Sequence, residues 1–199
     1  MLPVESKVLV NEDGAVAMLA HWEGAVRKQQ HIRPDEVLIG NCQEEFGRKS
    51  RSLKANPDQD AVNYHYSGRD HIAEDFLPCS LGWAQAALDV TNHLGFLKCA
   101  PRDFKPYNHI LVNYYEAGDQ LAWHRDDEPD LVGPIFNFSF GANATFEIEK
   151  GKRGRKSITL RHGDMLVGNQ KFFQNWYHRI CPVQGPRLSY TLRTVKGYS

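Results

Sequence analysis

Leu121-Ala122-Trp123-His124-Arg125-Asp126-Asp127-Glu128 places a histidine and a carboxylate two residues apart. In an extended segment, side chains at i and i+2 share a face, so a His124 nitrogen and an Asp126 oxygen can take neighbouring corners of one metal coordination sphere. A second histidine from a distant strand completes a two-histidine, one-carboxylate set, which leaves other positions open for substrates. His178, in Asn175-Trp176-Tyr177-His178-Arg179-Ile180, fits best, because strands far apart in sequence converge inside a barrel. His162-Gly163-Asp164 is a second His-x-Asp pair. Gly-Asp ahead of Met165-Leu166-Val167 reads as a tight turn into a strand, so the 124/126 pair is preferred. His21, His31, His65, His71, His93 and His109 have no partner at useful spacing.

The last strand adds a second kind of chemistry. Arg187-Leu188-Ser189-Tyr190-Thr191-Leu192-Arg193 alternates so that Arg187, Ser189, Thr191 and Arg193 share one face and Leu188, Tyr190 and Leu192 the other. If the polar face turns into a barrel, two fixed guanidinium groups need anionic partners. A dicarboxylate is the natural one, because the planar fork takes a carboxylate bidentately. With the forks roughly 6 Å apart by the strand repeat, the two arginines are expected to hold the two ends of a small diacid. Leu111, Asn113 and Tyr115 share a face of an earlier strand, so an amide and a phenol can add hydrogen bonds to the same ligand.

These residues need a scaffold. The 199 residues suffice for one domain with a sizeable core. Twenty-four cations balance twenty-four anions, so composition alone carries no nucleic-acid signal. Cys42, Cys79, Cys99 and Cys181 are scattered with no Cys-x-x-Cys pair, which argues against structural zinc and a disulfide framework. With no signal-like or membrane-spanning apolar run, the expectation is a soluble intracellular protein, working as a monomer.

From Pro106 onwards, short β-branched and aromatic segments alternate with Gly, Pro and Asp turns. Strands are expected near 108–115, 121–124, 135–140, 144–149, 157–160, 165–168, 176–181 and 187–195, about the number that a jelly roll needs. Upstream, a helix is expected from an N-cap at Ser80 to Gly95, with Leu81, Ala84, Leu88, Thr91 and Leu94 on one face. Val16, Leu19, Ala20, Trp22 and Val26 suggest another before Pro34, and Val37-Leu38-Ile39 a short strand. Arg48, Lys49, Arg51 and Lys54 form a basic segment, read as a loop, ahead of the alternating stretch Val62-Asn63-Tyr64-His65-Tyr66-Ser67-Gly68. Cations beside aromatics suit phosphates and an unstacked base; a solvated hairpin tip over core tyrosines is the other reading. The second basic turn, with Lys152, Arg153 and Arg155, has the same two readings. The fold class is α+β: a double-stranded β-helix over about 107–195, supporting helices, and a substrate-recognition lid over about 40–70.

The ordered set Asn113-Tyr114-Tyr115, Gly118, His124-Arg125-Asp126-Asp127-Glu128, Pro134, Ser139-Phe140-Gly141, His162-Gly163-Asp164, Trp176-Tyr177-His178 and the terminal Arg-x-Ser-x-Thr-x-Arg resembles the AlkB family of iron(II)- and 2-oxoglutarate-dependent dioxygenases over about residues 40 to 195. It looks most like the animal-type nucleic-acid demethylases. The resemblance implies that His124, Asp126 and His178 bind Fe(II), that Arg187 grips the distal carboxylate of 2-oxoglutarate, and that Arg193 lies near its metal-bound end. Asn113 and Tyr115 would assist. Ser189 stands where the family more often has asparagine, so its contact with the cosubstrate is shorter or absent. Tyr66 matches an aromatic that stacks on the flipped base, in a segment that includes Tyr64 and Ser67. Asp127 and Glu128 match acidic residues that meet the base. The implied reaction takes up O2, decarboxylates 2-oxoglutarate to succinate, and hydroxylates an N-methyl group that leaves as formaldehyde from methylated DNA or RNA. A hydroxylase of the same chemistry acting on a 5-methylpyrimidine or a protein side chain, and a non-catalytic nucleic-acid-binding module, remain the alternatives.

Overall fold

The computed structural model describes residues 5–30, 43–45, 48–66, 69–73, 75–98, 104, 106–151 and 154–196, with backbone alone at 43–45, 66 and 69. In chain order the elements are β1 (Glu5–Glu12), β2 (Ala15–His21), α1 (Glu23–Gln29), β3 (Gln43–Glu45), β4 (Arg48–Lys54), β5 (Val62–Tyr66), β6 (Arg69–Ala73), α2 (Pro78–His93), β7 (His109–Tyr115), β8 (Leu121–His124), β9 (Leu131–Gly141), β10 (Ala144–Glu149), β11 (Arg155–Leu160), β12 (Asp164–Gly168), α3 (Gln170–Asn175), β13 (Tyr177–Ile180) and β14 (Arg187–Val195). A large sheet runs β1-β2-β12-β9-β14-β7-β4-β3, a smaller one β11-β10-β13-β8, and β5 with β6 forms a separate hairpin. Two antiparallel sheets face to face are the jelly-roll core expected from the alternating segments.

Strand alternation divides the large sheet into two environments. Ile110, Val112, Phe136, Phe138, Phe140, Leu188, Tyr190 and Leu192 pack with Trp83, Ala87 and Val90 of α2. Trp83 touches Phe138, Phe140 and Tyr190 at ring-centroid distances of 4.7, 5.3 and 5.1 Å. The opposite face of the same strands carries Asn113, Tyr115, Asn137, Arg187, Ser189, Thr191 and Arg193, which line a cavity together with Phe146 and His178 of the smaller sheet. A helix thus covers the apolar face, and the polar face becomes an interior.

Several expectations are corrected. The N-terminal segment is mainly a β-hairpin, β1 paired with β2, and only residues 23–29 are helical. Small Ala15 and Ala17 alternate inward with Leu19, a pattern whose apolar spacing also fits a helix. Helix α2 starts at Pro78, since Ser80 lies inside its first turn and donates its backbone N–H to Leu77 O. Its buried face is Trp83, Ala86, Ala87, Val90 and Thr91, whereas Leu81 is half exposed. Gly95 ends it at φ +83°. The basic stretch is a strand, β4, paired with β7 from Lys49↔Tyr114 to Lys54↔His109. The lid expected over 40–70 therefore loses that stretch to the large sheet. Val37-Leu38-Ile39, Ser67, Lys152 and Arg153 lie outside the described residues. Among the described residues no helix is long and apolar enough to cross a membrane.

Candidate active site

β8 and β13 pair so that His178 stands opposite His124, and their rings lie 4.2 Å apart between centroids. Asp126 follows just beyond β8, where its backbone N–H bonds Phe173 O at the end of the short α3. That helix is held by Asn169, whose side chain caps Phe172 N at 3.0 Å and accepts from Val16 N at 3.1 Å. The missed N-terminal hairpin thus braces the segment on which Asp126 rests. One donor atom each from His124, Asp126 and His178 falls within 4.8 Å of the others. His124 Nδ1 lies 2.9 Å from Ala122 O and His178 Nδ1 3.2 Å from Trp176 O. A carbonyl only accepts, so each Nδ1 carries the hydrogen and each Nε2 keeps a lone pair for a metal.

Electrostatics favour the same assignment. Burial, with His178 beside it, pushes His124 down to about 3, so the ring stays neutral and able to ligate. Burial opposes ionisation of Asp126, yet Arg193 and the two histidines outweigh it and hold its carboxyl well below the usual range. Arg193 Nη2 donates to Asp126 Oδ1 at 2.9 Å. Two histidine nitrogens and one permanently ionised carboxylate suit a ferrous ion.

The cavity extends from these donors past Leu121, Phe146, Leu166 and Ile180 to Arg187, Ser189, Tyr115 and Asn113. Arg187 is fully buried, stacks over the Tyr115 ring at 4.9 Å, and among the described residues leaves Nε and Nη1 without hydrogen-bond partners. Burial lowers its pKa, and Tyr115 partly offsets the shift. A buried cation so placed is incomplete without an anion, and a carboxylate has the geometry to complete it. Arg193 lies six residues along β14 from Arg187, about 20 Å at the strand repeat, and its Nη2 donates to Asp126. The two arginines are therefore not a pair of clamps roughly 6 Å apart.

The other expected residues divide. Tyr64 is buried beneath Arg193, whose guanidinium carbon lies 5.1 Å from its ring centre. Its phenol, raised by burial, lies beside Glu128. Glu128 is half-buried and its carboxyl is raised by burial and by Asp126. Asp127 instead pairs with Arg125, which stacks over Tyr177 at 5.0 Å, so it points away from the metal donors. Tyr66 ends β5, with its backbone alone described. The 162/164 pair is a turn: Gly163 has φ +84°, and Asp164 serves His21 Nδ1 at 2.9 Å and Arg161 N at 2.8 Å. His21 thus has a partner that spacing did not reveal.

The cations read as phosphate contacts also separate. Arg48 and Arg51 are buried, the first donating to Asn113 Oδ1 at 2.9 Å and the second to Asp75 at 2.7 Å. Neither is a surface charge. Lys54 bonds the Gln59 carbonyl at 3.0 Å. Lys49 pairs with Glu116, while Arg155 pairs with Glu147 and Glu149 and stacks on Trp123. Arg48 lines the same cavity as Arg187, a place that its basic surroundings concealed.

A sequence profile of the 2OG-Fe(II) oxygenase superfamily matches residues 15–193. A segment is 35% identical over 105 residues to the DNA oxidative demethylase ALKBH2 of Mus musculus, covering 45% of this chain and 44% of that protein. Another stretch is 31% identical over 133 residues to the RNA replication protein of Grapevine virus A, covering 65% of this chain and 7% of that protein. The chain thus spans less than half the length of these relatives. The solved structure of OsALKBH1 superimposes with a TM-score of 0.64 over 94% of this chain and all of its own, at 16% identity, which shows a common fold. This chain belongs to the 2OG-Fe(II) oxygenase superfamily. The family works with Fe(II), 2-oxoglutarate and O2, and the His124, Asp126 and His178 donors fit that iron.

Proposed function

We propose that the chain is a dioxygenase that oxidatively removes methyl groups from N-methylated nucleic-acid bases of the 1-methyladenine and 3-methylcytosine type. The observation that carries this reading is one cavity shared by three metal donors and Arg187, a buried cation with two unpartnered nitrogens. His124, Asp126 and His178 would hold iron, while Arg187, Tyr115, Asn113 and Ser189 would hold 2-oxoglutarate. When bound, iron with 2-oxoglutarate and O2 supplies the oxidant that turns a C–H bond into C–OH as the diacid becomes succinate and CO2.

The residues of the chain do the rest. Arg193 keeps Asp126 ionised and fixed. Arg187 orients the diacid through its far carboxylate. Phe146, Leu166, Phe173 and Ile180 make the cavity wall apolar and limit water. Glu128, next to Tyr64 and near Asp126, places a carboxylate beside the metal donors, and a methylated ring is cationic, so the two attract. A hydroxymethyl group on a ring nitrogen sheds formaldehyde and leaves N–H. The balance is N–CH3 plus 2-oxoglutarate and O2 giving N–H, formaldehyde, succinate and CO2.

The 133-residue similarity to a protein named for RNA replication makes methylated RNA the first substrate to test, and similarity to a DNA oxidative demethylase makes DNA the second. The test is incubation with Fe(II), 2-oxoglutarate and oligonucleotides carrying one methylated base, followed by digestion to nucleosides. Recovery of unmodified adenine or cytosine nucleosides supports the reading. Oxidation of 5-methylcytosine with N-methyl bases untouched would move the chain to another substrate class.

A further inference from the structure

Arg48 is an arginine without an evident surface role. It is 4% exposed, and it lines the cavity together with Arg187, Asn113 and the metal donors. The register explains why. β4 pairs Ser50 with Asn113 and Lys49 with Tyr114, so Arg48 reaches the level of Tyr115 and shares its inward face with Ser50. β14 pairs Arg187 with Tyr115 from the other side. Arg48 and Arg187 thus flank Tyr115 on neighbouring strands. Arg48 Nε donates to Asn113 Oδ1 at 2.9 Å.

That bond has a chemical consequence. A guanidinium has donors and no acceptor, so the end of the Asn113 amide that meets Arg48 must be the oxygen. The other end, Nδ2 with two N–H donors, is then the one left for the cavity. A carboxylate or keto oxygen only accepts hydrogen bonds, so an amide turned the opposite way would present lone pairs to lone pairs. We infer that Arg48 is a positioning residue of the cosubstrate pocket: its Nε–H on Asn113 Oδ1 fixes the amide so that its N–H groups face the anionic diacid. This rests on the 2-oxoglutarate reading of the cavity. It also assigns a cation of the basic segment to the cosubstrate and not to phosphate.

Side-chain chemistry supplies a clean test. Glutamine carries Nε2 at the same bond count from Cα as arginine carries Nε, so Arg48→Gln retains the donor and removes the charge. Arg48→Met places a methyl group there and removes both. The readout is 2-oxoglutarate binding by calorimetry to protein loaded with Mn(II), which occupies the same donors without turnover, with thermal melts checking that each variant is folded. Arg48→Met should bind 2-oxoglutarate about ten-fold more weakly, the size of one lost charge-assisted hydrogen bond. Arg48→Gln should stay within about three-fold of wild type. In an Asn113→Ala background the Arg48→Met substitution should cost less than about two-fold, because its effect passes through the amide. In steady state the loss should appear in KM for 2-oxoglutarate with kcat little changed. The inference is overturned if Arg48→Met binds as wild type does, if Arg48→Gln loses as much as Arg48→Met, or if the loss is as large without Asn113. Wild-type protein that binds no 2-oxoglutarate would overturn the proposed function itself, and this inference with it.

Discussion

Exchanging Arg187 for methionine should move ligand affinity and ligand-free stability in opposite directions. The guanidinium is fully buried with Nε and Nη1 unpartnered among the described residues, so in the absence of a diacid it is a desolvated cation stacked on Tyr115. Removing a buried unsatisfied group regains about 1–3 kcal/mol, against about 0.5–2 kcal/mol for the lost cation–π contact. The mid-range balance is a gain of about 1 kcal/mol, so the ligand-free Tm of Arg187→Met should rise by about 2–4 °C at 2–4 °C per kcal/mol for a chain of this size. A bound diacid reverses the sign. Its carboxylate would then be buried without its partner, which costs about 3–5 kcal/mol, or two to three and a half orders of magnitude in 2-oxoglutarate affinity. Thermal melts with and without 2-oxoglutarate, beside calorimetry on Mn(II)-loaded protein, measure both quantities. A variant that binds 2-oxoglutarate within three-fold of wild type, or that melts several degrees lower without ligand, would refute the reasoning.

The remaining predictions are narrower. Asp126→Asn should weaken Mn(II) binding by about 100-fold or more, since a ligand is lost where even supporting groups are worth 10–100-fold. Asp164→Asn should leave metal affinity unchanged in the same titration and lower stability by about 1–3 kcal/mol, because Asp164 only ties His21 and Arg161 to the turn. Tyr64→Phe keeps the ring under Arg193 but removes the hydroxyl beside Glu128; KM for a methylated oligonucleotide should rise about three- to ten-fold while 2-oxoglutarate binding is unchanged. His109 is buried beside Arg193 and His71, and burial first, then those neighbours, push it down to about 3. The unfolded chain therefore takes up a proton below about 6.5 that the folded chain refuses, so stability falls as pH drops from about 6.5 towards 3, by up to about 5 kcal/mol. Urea midpoints measured from pH 7 to pH 4.5 should fall steadily, and less steeply in His109→Gln.

Much of this site was legible because its chemistry obeys strand periodicity. Arg187, Ser189, Thr191 and Arg193 fall on one face whatever lies opposite, and β14 keeps that division between α2 and the cavity. What spacing could not give was the third dimension. Nothing in the sequence says that Arg193 reaches Asp126 or that His178 stands opposite His124, since both depend on which strands pair. The basic segment misled for a physical reason: inward-facing Arg48 and Ser50 resemble a solvated strand unless the interior is known to be polar. Charge suggests exposure, yet Arg48 and Arg51 are both buried. The N-terminal hairpin was missed because Ala15 and Ala17 give a weak alternation signal. Its contribution to the site, holding Asn169 and through it α3, is visible only in the packing.

The central claim is that one cavity couples diacid decarboxylation to removal of a base N-methyl group. Its most direct measurement is stoichiometry with the wild-type chain, Fe(II), 2-oxoglutarate, O2 and an RNA oligonucleotide carrying a single 1-methyladenine. Succinate, formaldehyde and unmodified adenine should accumulate one to one to one. Succinate formed with the methylated base intact would contradict the account.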